Sequence, residues 1–296
     1  MPKFSIRKFL KMVGLSLLGF LVLTYLILRF LVPMGPKSRA QIAESFADAP
    51  EQPQFHTYQY EGHQVEYVSA GDSSRPLLMF IHGSPGSWDA WAKYFRDEQL
   101  LAQFHLIGVN RLGYGESDPG LPESKLEIQA RVFQPLLDQY AGESGAILVG
   151  HSYGGPVAAR LAMDAPSQIR AVLLLASIMD PQYERRLGIQ STFRSPYLRW
   201  LLPPMLDMSN REIVPLKDEL RLMVPLWDRI TAHVTMMQGD RDFLALKEHV
   251  AFAEHHLVHA ASVKAIRLPE ESHFLPWTQY DRVISEILLL DEKPTP

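Results

Sequence analysis

The sequence contains no cysteine. This absence excludes disulfide bonds, a cysteine nucleophile, thiolate metal ligands and a lipid anchor attached to cysteine. The chain also has no internal repeat and no low-complexity tract, which excludes the common repeat architectures. The cellular compartment stays open, because a chain without thiols is stable on either side of a membrane.

Acidic residues outnumber basic residues beyond the first part of the chain. The whole chain carries a net charge of −4, and residues 1–32 hold five Lys and Arg without any acid, which leaves −9 for the remainder. A body this acidic is a poor partner for nucleic acid or for an anionic lipid surface. With 296 residues, 47% of them apolar, the chain is long enough for one large domain with a real core and a small additional element.

One long apolar run, from Met12 to Val32, stands near the N-terminus. About 20 helical residues span a hydrocarbon core of about 30 Å, so the run predicts a transmembrane anchor. Lys3, Arg7, Lys8 and Lys11 precede it, which predicts a cytoplasmic N-terminus and a body on the outer side, periplasmic or extracellular. A cleaved signal peptide is the alternative, although the run exceeds the roughly 7–15 apolar residues of such peptides.

The segment after this run is rich in proline. Residues 33–53 contain four prolines and predict a linker, and Ser38-Arg39-Ala40 within it offers the small-x-small pattern of a cleavage site. The predicted organisation is therefore an N-terminal tail and anchor over residues 1–32, a linker over 33–53 and one domain over 54–296.

Short apolar runs alternate with helical patterns in the body. Gln54–Tyr60 and His63–Ser69 alternate apolar and polar residues around Glu61-Gly62, which predicts a β-hairpin. Strands that are apolar on both faces and separated by helices predict a mostly parallel sheet with helices on both faces. The further predicted strands are Leu77–Ile81, His105–Val109, Ala146–Val149, Ala171–Leu175, Val234–Met237 and Val263–Leu268.

One interval, from about residue 180 to 230, contains no convincing strand. It carries many apolar and aromatic residues with several prolines and predicts short helices. Because long insertions in compact domains are usually functional, we interpret it as a small helical cap; an ordinary helical excursion is the alternative.

The motif Gly150-His151-Ser152-Tyr153-Gly154 is a G-x-S-x-G that follows a predicted strand and opens a predicted helix. A tight strand-to-helix turn lifts the serine hydroxyl above the sheet, and the flanking glycines leave room for the strained backbone. The N-terminus of the following helix favours developing negative charge. The motif therefore predicts Ser152 as a nucleophile.

With this motif in its context, residues 60–290 resemble the α/β-hydrolase superfamily, in its esterase and lipase-like branch. His82-Gly83-Ser84-Pro85-Gly86 resembles the oxyanion loop of that family. The resemblance implies that the backbone N–H groups of Ser84 and Tyr153 stabilise the oxyanion of a tetrahedral intermediate. His82 is interpreted as structural.

The segment from Asn110 to Ser117 resembles the D-x-x-G-x-G-x-S turn of the family, with asparagine in place of the usual aspartate. Because that turn is structural in the family, the departure bears little on the chemistry.

The family order of nucleophile, acid and histidine implies the rest of a triad. Asp242, three residues after Gly239, is the implied acid, with Asp240 as the near alternative and Asp180 as a more distant one. The implied histidine is His273, after the last predicted strand. His255, His256 and His259 lie in a helical stretch without a metal-binding motif, so neither a metal site nor a cofactor is expected.

A serine at the elbow favours acyl chemistry, and hydrolysis of a carboxylic ester is the preferred activity. Dehalogenases and epoxide hydrolases share the fold but use a carboxylate where this chain has Ser152. The alternatives are carbon–carbon bond hydrolysis, cofactor-free perhydrolysis and a prolyl-type aminopeptidase, since Pro85-Gly86 resembles such enzymes and Glu184, Asp207 and Glu212 offer acids for a substrate amine.

The expected partner is a small-molecule or lipid-like acyl substrate, with the membrane bound through the N-terminal helix. A non-catalytic binding protein on the same fold stays as an alternative of a different class. The sequence leaves the oligomeric state open.

Overall fold

The computed structural model describes residues 6–30, 36–184 and 188–296. The first described element is helix α1 (Ile6–Phe30). Among the described residues, its segment Phe9–Ile27 is the one helix that is long and apolar enough to cross a membrane, and it has no buried share within the protein. Some predicted features lie outside the described residues. They are Lys3, the last two residues of the predicted anchor (31–32) and the first three residues of the predicted linker (33–35).

The predicted linker contains a folded element. Helix α2 (Arg39–Ser45) begins at a capping box in which Ser38 and Gln41 bond each other's backbone N–H. Ile42 and Phe46 are buried in one of the two main cores, and Arg39 bonds Glu66 at 2.6 Å. This part of the interval packs against the domain instead of forming an open tether.

An eight-stranded sheet forms the centre of the described domain, in the order β1-β2-β4-β3-β5-β6-β7-β8. The two outer pairs β1–β2 and β2–β4 are antiparallel, and the remaining pairs are parallel. The predicted strands are confirmed, with shifts of up to two residues at their ends. The strands are β1 (Gln54–Tyr60), β2 (His63–Ala70), β3 (Leu77–Ile81), β4 (His105–Val109), β5 (Ala146–His151), β6 (Ile169–Leu175), β7 (His233–Gly239) and β8 (Ser262–Leu268).

Two hydrophobic cores cover the two faces of this sheet. Along β3, Met79 and Ile81 enter one core, whereas Leu78 and Phe80 enter the other. Strands that are buried on both faces read as continuous apolar runs, which explains why they are visible in the sequence.

Helices form the outer layers and most connections. The α-helices are α3 (Glu98–Gln103), α4 (Leu126–Arg131), α5 (Gln134–Tyr140), α6 (Gly154–Asp164), α7 (Gly188–Thr192), α8 (Pro196–Arg199), α9 (Pro204–Met223), α10 (Glu248–His256), α11 (Leu275–Thr278) and α12 (Tyr280–Asp291). Short 3-10 helices occur at Trp88–Trp91, Tyr94–Arg96, Pro166–Gln168 and Val224–Arg229.

The interval between β6 and β7 is helical where it is described. It contains α7, α8, α9 and a 3-10 helix, and no strand in residues 176–184 and 188–232. Leu216 and Leu220 of α9 are fully buried in a main core, so the second half of this helix belongs to the body of the domain. The parallel strands β3, β5, β7 and β8 all end at the same edge of the sheet, which brings the loops after them together.

Candidate active site

Ser152 lies directly after β5, at the start of α6. Its φ of +53° is in the left-handed region that serine rarely adopts, as expected for a strained strand-to-helix elbow. The backbone N–H of Ser152 donates to the carbonyl oxygen of Leu175 on the neighbouring strand at 3.0 Å. This bond ties the elbow to the sheet, and the Ser152 side chain lines a cavity.

Asp242 and His273 meet at the same edge, from the loops after β7 and β8. Nδ1 of His273 lies 2.8 Å from Oδ2 of Asp242, and both side chains are buried. Oδ1 of Asp242 accepts the backbone N–H groups of Leu244 at 2.8 Å and Ala245 at 2.9 Å. Nε2 of Gln238 also donates to Oδ2 of Asp242 at 3.3 Å, so four partners hold the carboxylate in place. His273 lines the same cavity as Ser152.

The two alternative acids make other contacts. Asp240 pairs with Arg267 on β8, at the partly exposed edge of the sheet. The carboxylate of Asp180 caps its own turn by accepting the N–H of Gln182 at 2.7 Å. Of the three acids considered from the sequence, Asp242 is the one that contacts His273.

His151 supports His273 from the side. Burial lowers the pKa of His151 to about 3, so its imidazole is neutral and one ring nitrogen keeps its proton. Nε2 of His151 lies 2.9 Å from the carbonyl oxygen of His273, to which it donates. The rings of Trp277 and His151 meet edge to face, with centroids 5.4 Å apart. The hydrogen bond from His151 fixes the backbone of the loop that carries His273.

The loop after β3 runs along the elbow. A Cβ atom at Gly83 would lie 3.0 Å from Cβ of Ser152, so glycine is required for this approach. The backbone N–H groups of Ser84 and Tyr153 donate to no acceptor within the described part of the protein. Ser84 and Ser152 line the same cavity, where such free donors can receive an oxyanion.

The cavity encloses about 370 Å³ and is mostly apolar. Phe274, Trp277, Phe243 and Leu244 form part of its wall and are partly exposed. Glu184 is the acidic side chain among the described lining residues. A space of this size and lining suits an organic substrate with a substantial apolar part.

An ion pair next to the loop after β3 was not recognised in the sequence. Arg111 and Glu212 are fully buried and form a bidentate pair, with nitrogen–oxygen distances of 2.7 and 3.0 Å. Arg111 also donates to the carbonyl oxygens of His82 and Gly83, both at 3.0 Å. Burial opposes the charge of Arg111, but the Glu212 carboxylate raises the pKa of this guanidinium above its usual value. The pair thus links α9 to the loop after β3.

His82 and Asn110 have structural roles in the same region. Nε2 of His82 accepts the backbone N–H of Arg111 at 3.1 Å, and burial lowers the pKa of this imidazole well below its usual value. Oδ1 of Asn110 accepts the N–H of Trp88 at 2.8 Å, and its Nδ2 donates to Glu66 at 2.6 Å. An aspartate here would place two carboxylates together, which explains the asparagine in this turn.

No group of three or more His, Asp or Glu side chains that could hold a metal ion lies within residues 6–30, 36–184 and 188–296. Nδ1 of His256, the last residue of α10, contacts the carbonyl oxygen of Phe252 at 2.8 Å. His259 lies beyond the helix, and its Nδ1 contacts the carbonyl oxygen of Asp228 at 2.8 Å. These rings are bound to backbone within their own region.

The chain is similar to several known proteins. It is 31% identical to epoxide hydrolase 3 from Mus musculus over 168 residues, 52% of this chain and 43% of that protein. It is 34% identical over 134 residues, 44% of this chain and 35% of the relative, to the dihydrolipoyllysine-residue acetyltransferase component of the acetoin cleaving system from Cupriavidus necator. The chain therefore spans less than half the length of these curated relatives.

Solved structures share the fold over much more of the chain. A bacterial membrane phospholipase A matches 96% of this chain and 98% of its own, with a TM-score of 0.62 and 18% identity. The enol-lactonase from Burkholderia xenovorans LB400 matches 80% of this chain and all of its own, with a TM-score of 0.61 and 14% identity. The family model described as the alpha/beta hydrolase fold matches residues 76–260, more than half of the chain. The chain belongs to the α/β-hydrolase fold family.

Proposed function

We propose that this protein is a serine hydrolase that cleaves carboxylic esters through Ser152, His273 and Asp242. The observation that carries the proposal is the 2.8 Å contact between His273 and Asp242 in the wall of the cavity that also holds the strained Ser152. A nucleophile and a base at one cavity, with a third residue that orients the base, are the parts that acyl transfer requires.

The mechanism follows from these positions. His273 removes the proton from the Ser152 hydroxyl, and the resulting alkoxide attacks the carbonyl carbon of the ester. The N–H groups of Ser84 and Tyr153 stabilise the oxyanion, and Asp242 holds the imidazole in its productive tautomer and stabilises the imidazolium. His273 then returns the proton to the leaving alcohol and activates the water that hydrolyses the acyl-enzyme.

The nucleophile separates this chain from the chemistry of its epoxide hydrolase relatives. Epoxide opening in this fold requires a carboxylate at the elbow, whereas the elbow here carries Ser152. A serine alkoxide forms an acyl-enzyme with an ester, which is the reaction that a nearby oxyanion hole assists. The mostly apolar cavity supports an ester with an apolar acyl group.

Glu184 supports a second candidate function, a prolyl-type aminopeptidase. It lies in the cavity wall, where a carboxylate can hold a substrate amine. The other two acids considered for this role do not line the cavity. Glu212 is paired with Arg111, and Asp207 lies 4.0 Å from Arg199. Activity on p-nitrophenyl esters compared with proline amides decides between the two, and ester hydrolysis is expected to dominate.

Two neighbouring aspartates provide a matched test of the triad. Asp242→Asn is expected to lower kcat for ester hydrolysis by about 10⁴-fold, because the amide stabilises the wrong tautomer of His273. Asp240→Asn, two residues away, should leave kcat nearly unchanged, since Asp240 pairs with Arg267. Equal losses in the two variants would contradict the proposed triad, and wild-type protein without ester hydrolysis would favour a non-catalytic binding protein.

We further propose that α1 anchors the protein with its N-terminus in the cytoplasm and the domain outside. Support comes from the basic residues before the apolar run and from the fold of α2. Cleavage after Ala40 would remove Arg39, which bonds Glu66 and stacks over Phe55 at 3.4 Å.

Because the chain lacks cysteine, Leu121→Cys at an exposed loop position supplies a single thiol. A membrane-impermeant maleimide should label it in intact cells, and labelling only after permeabilisation would reverse the orientation. An N-terminal sequence that begins beyond residue 40 would contradict the anchor.

A further inference from the structure

A contact between the anchor and the cap marks the level of the membrane surface. The hydroxyl of Tyr25 in α1 donates to the carbonyl oxygen of Trp200 at 3.4 Å, and the two rings meet edge to face with centroids 6.5 Å apart. Tyr25 lies two residues before the end of the apolar segment Phe9–Ile27. Tyrosine and tryptophan concentrate at the boundary between lipid and water, so this contact places α8 at the headgroup level.

The surface formed by α8 and the following residue, Trp200, is unusually apolar for one exposed to water. The side chain of Tyr197 is 85% exposed and that of Trp200 is 62% exposed, although both are large aromatic residues. Leu198 between them is also partly exposed. A cluster of exposed aromatic side chains next to a membrane helix is typical of a surface that sits in the membrane interface.

A basic cleft opens beside this aromatic surface. It is lined in part by Arg194, Arg199, Asn210 and Arg211, and it encloses about 340 Å³. Arg199 directly precedes Trp200, so the cleft begins one residue from the contact with α1. We call these four residues the arginine cleft.

The charges of the arginine cleft are only weakly compensated. Arg199 has Asp207 at 4.0 Å, and Arg194 and Arg211 form no ion pair within the described part of the protein. The carboxylate among the described lining residues, that of Asp218, bonds Arg221 at 2.7 Å. The chain beyond residue 32 carries a net charge of −9. Three guanidinium groups around one cleft therefore form a positively charged patch on an acidic domain. Arginine binds phosphate through paired N–H donors.

We infer that the arginine cleft binds the phosphate of an anionic phospholipid headgroup in the leaflet next to the domain. The inference rests on the proposed membrane anchorage by α1 and is separate from the hydrolytic activity. Bound there, a headgroup would fix the domain against the bilayer through α8. Such a local site would act against the net charge of the body, from which weak binding to an anionic lipid surface is expected.

The test uses the full-length chain in detergent, with Ser152→Ala present so that lipid is not consumed. Dihexanoyl phosphatidylglycerol, dihexanoyl phosphatidylcholine and inorganic phosphate are titrated separately by isothermal calorimetry. Phosphatidylglycerol should bind, and Arg194→Gln/Arg211→Gln should weaken that binding at least about tenfold, because the double variant loses two charged donors to the phosphate. Arg229→Gln, an exposed arginine of the cap outside the cleft, should leave the affinity unchanged.

Three results would overturn the inference. Equal affinity of the double variant and its parent would remove the cleft from the binding site. Equal affinity for phosphatidylcholine would show that the anionic headgroup is not recognised, and equal affinity for inorganic phosphate would indicate a site for a free anion. The titration requires neither hydrolysis nor a given orientation in the membrane, so its failure is distinguishable from failure of the proposed function.

Discussion

The buried ion pair between Arg111 and Glu212 leads to a specific prediction of stability. Both side chains are fully enclosed, and the two oxygens of the carboxylate each meet a guanidinium nitrogen. Removing one member of such a pair leaves a buried charge without compensation and costs about 3–5 kcal/mol. Glu212→Leu should therefore lower the free energy of unfolding by about 3–5 kcal/mol.

Arg111→Met should cost more than Glu212→Leu. Arg111 also satisfies the carbonyl oxygens of His82 and Gly83, and each buried carbonyl left without a donor adds about 1–3 kcal/mol. In the double variant both charges are gone, so only the two carbonyls and the hydroxyl of Tyr114 lose partners. The double variant should be more stable than Arg111→Met alone, and its cost should fall short of the sum of the single costs by at least about 3 kcal/mol.

The assay is urea unfolding of the full-length chain in detergent, followed by far-UV circular dichroism. Because losses above about 5 kcal/mol approach the whole stability of a domain, Glu212→Gln, which keeps one acceptor for Arg111, is measured first. Glu270→Ala, which removes an exposed pair with Arg241, is the control and should change stability by less than about 1 kcal/mol. Additive costs in the double variant would refute the coupling of the two buried charges.

Two further predictions concern packing and pH. Gly155→Ala should destabilise the fold by about 1–3 kcal/mol, because the new Cβ would lie 2.5 Å from Cβ of Ser177, and adding Ser177→Gly should recover part of the loss in urea unfolding. Burial lowers the pKa of His249 to about 4 from 6.5, so the unfolded chain binds a proton that the folded chain does not between those values. Stability should fall as the pH decreases from 6.5 to 4, and His249→Gln should reduce that slope by up to about 1.4 kcal/mol per pH unit; an unchanged slope would contradict this origin.

Local patterns carry most of what the sequence predicts. The strands that form the sheet are buried on both faces, so each is a visible apolar run between helical segments. The elbow is also local, because the turn itself requires the small residues around Ser152. These features depend on neighbours in sequence, which one sequence displays.

Contacts between distant residues are the part that the sequence hides. Asp240 and Asp242 are two aspartates of one loop, and contacts with distant residues separate them: Asp240 pairs with Arg267 on β8, whereas Asp242 contacts His273. Glu212 is one of the three acids considered for a substrate amine. Its partner is Arg111, 101 positions earlier in the chain. No local sequence pattern predicts a contact between residues so far apart in the chain.

Helix α2 shows how composition misleads. The four prolines in residues 33–53 predict a linker, and the short sequence between two of them forms a helix. Its signals were local: Ser38 followed three residues later by Gln41 is a capping box, and Ile42 and Phe46 at i, i+4 form one apolar face.

The reaction of Ser152 with a fluorophosphonate probe tests the central claim most directly. The adduct is located by peptide mass spectrometry in the wild-type chain and in His273→Ala, with His256→Ala as a control that removes a histidine of α10. The proposed triad predicts labelling at Ser152 that falls sharply in His273→Ala and is unchanged in His256→Ala. A folded wild-type chain that is not labelled, or labelling that is independent of His273, would contradict an activated serine at this site.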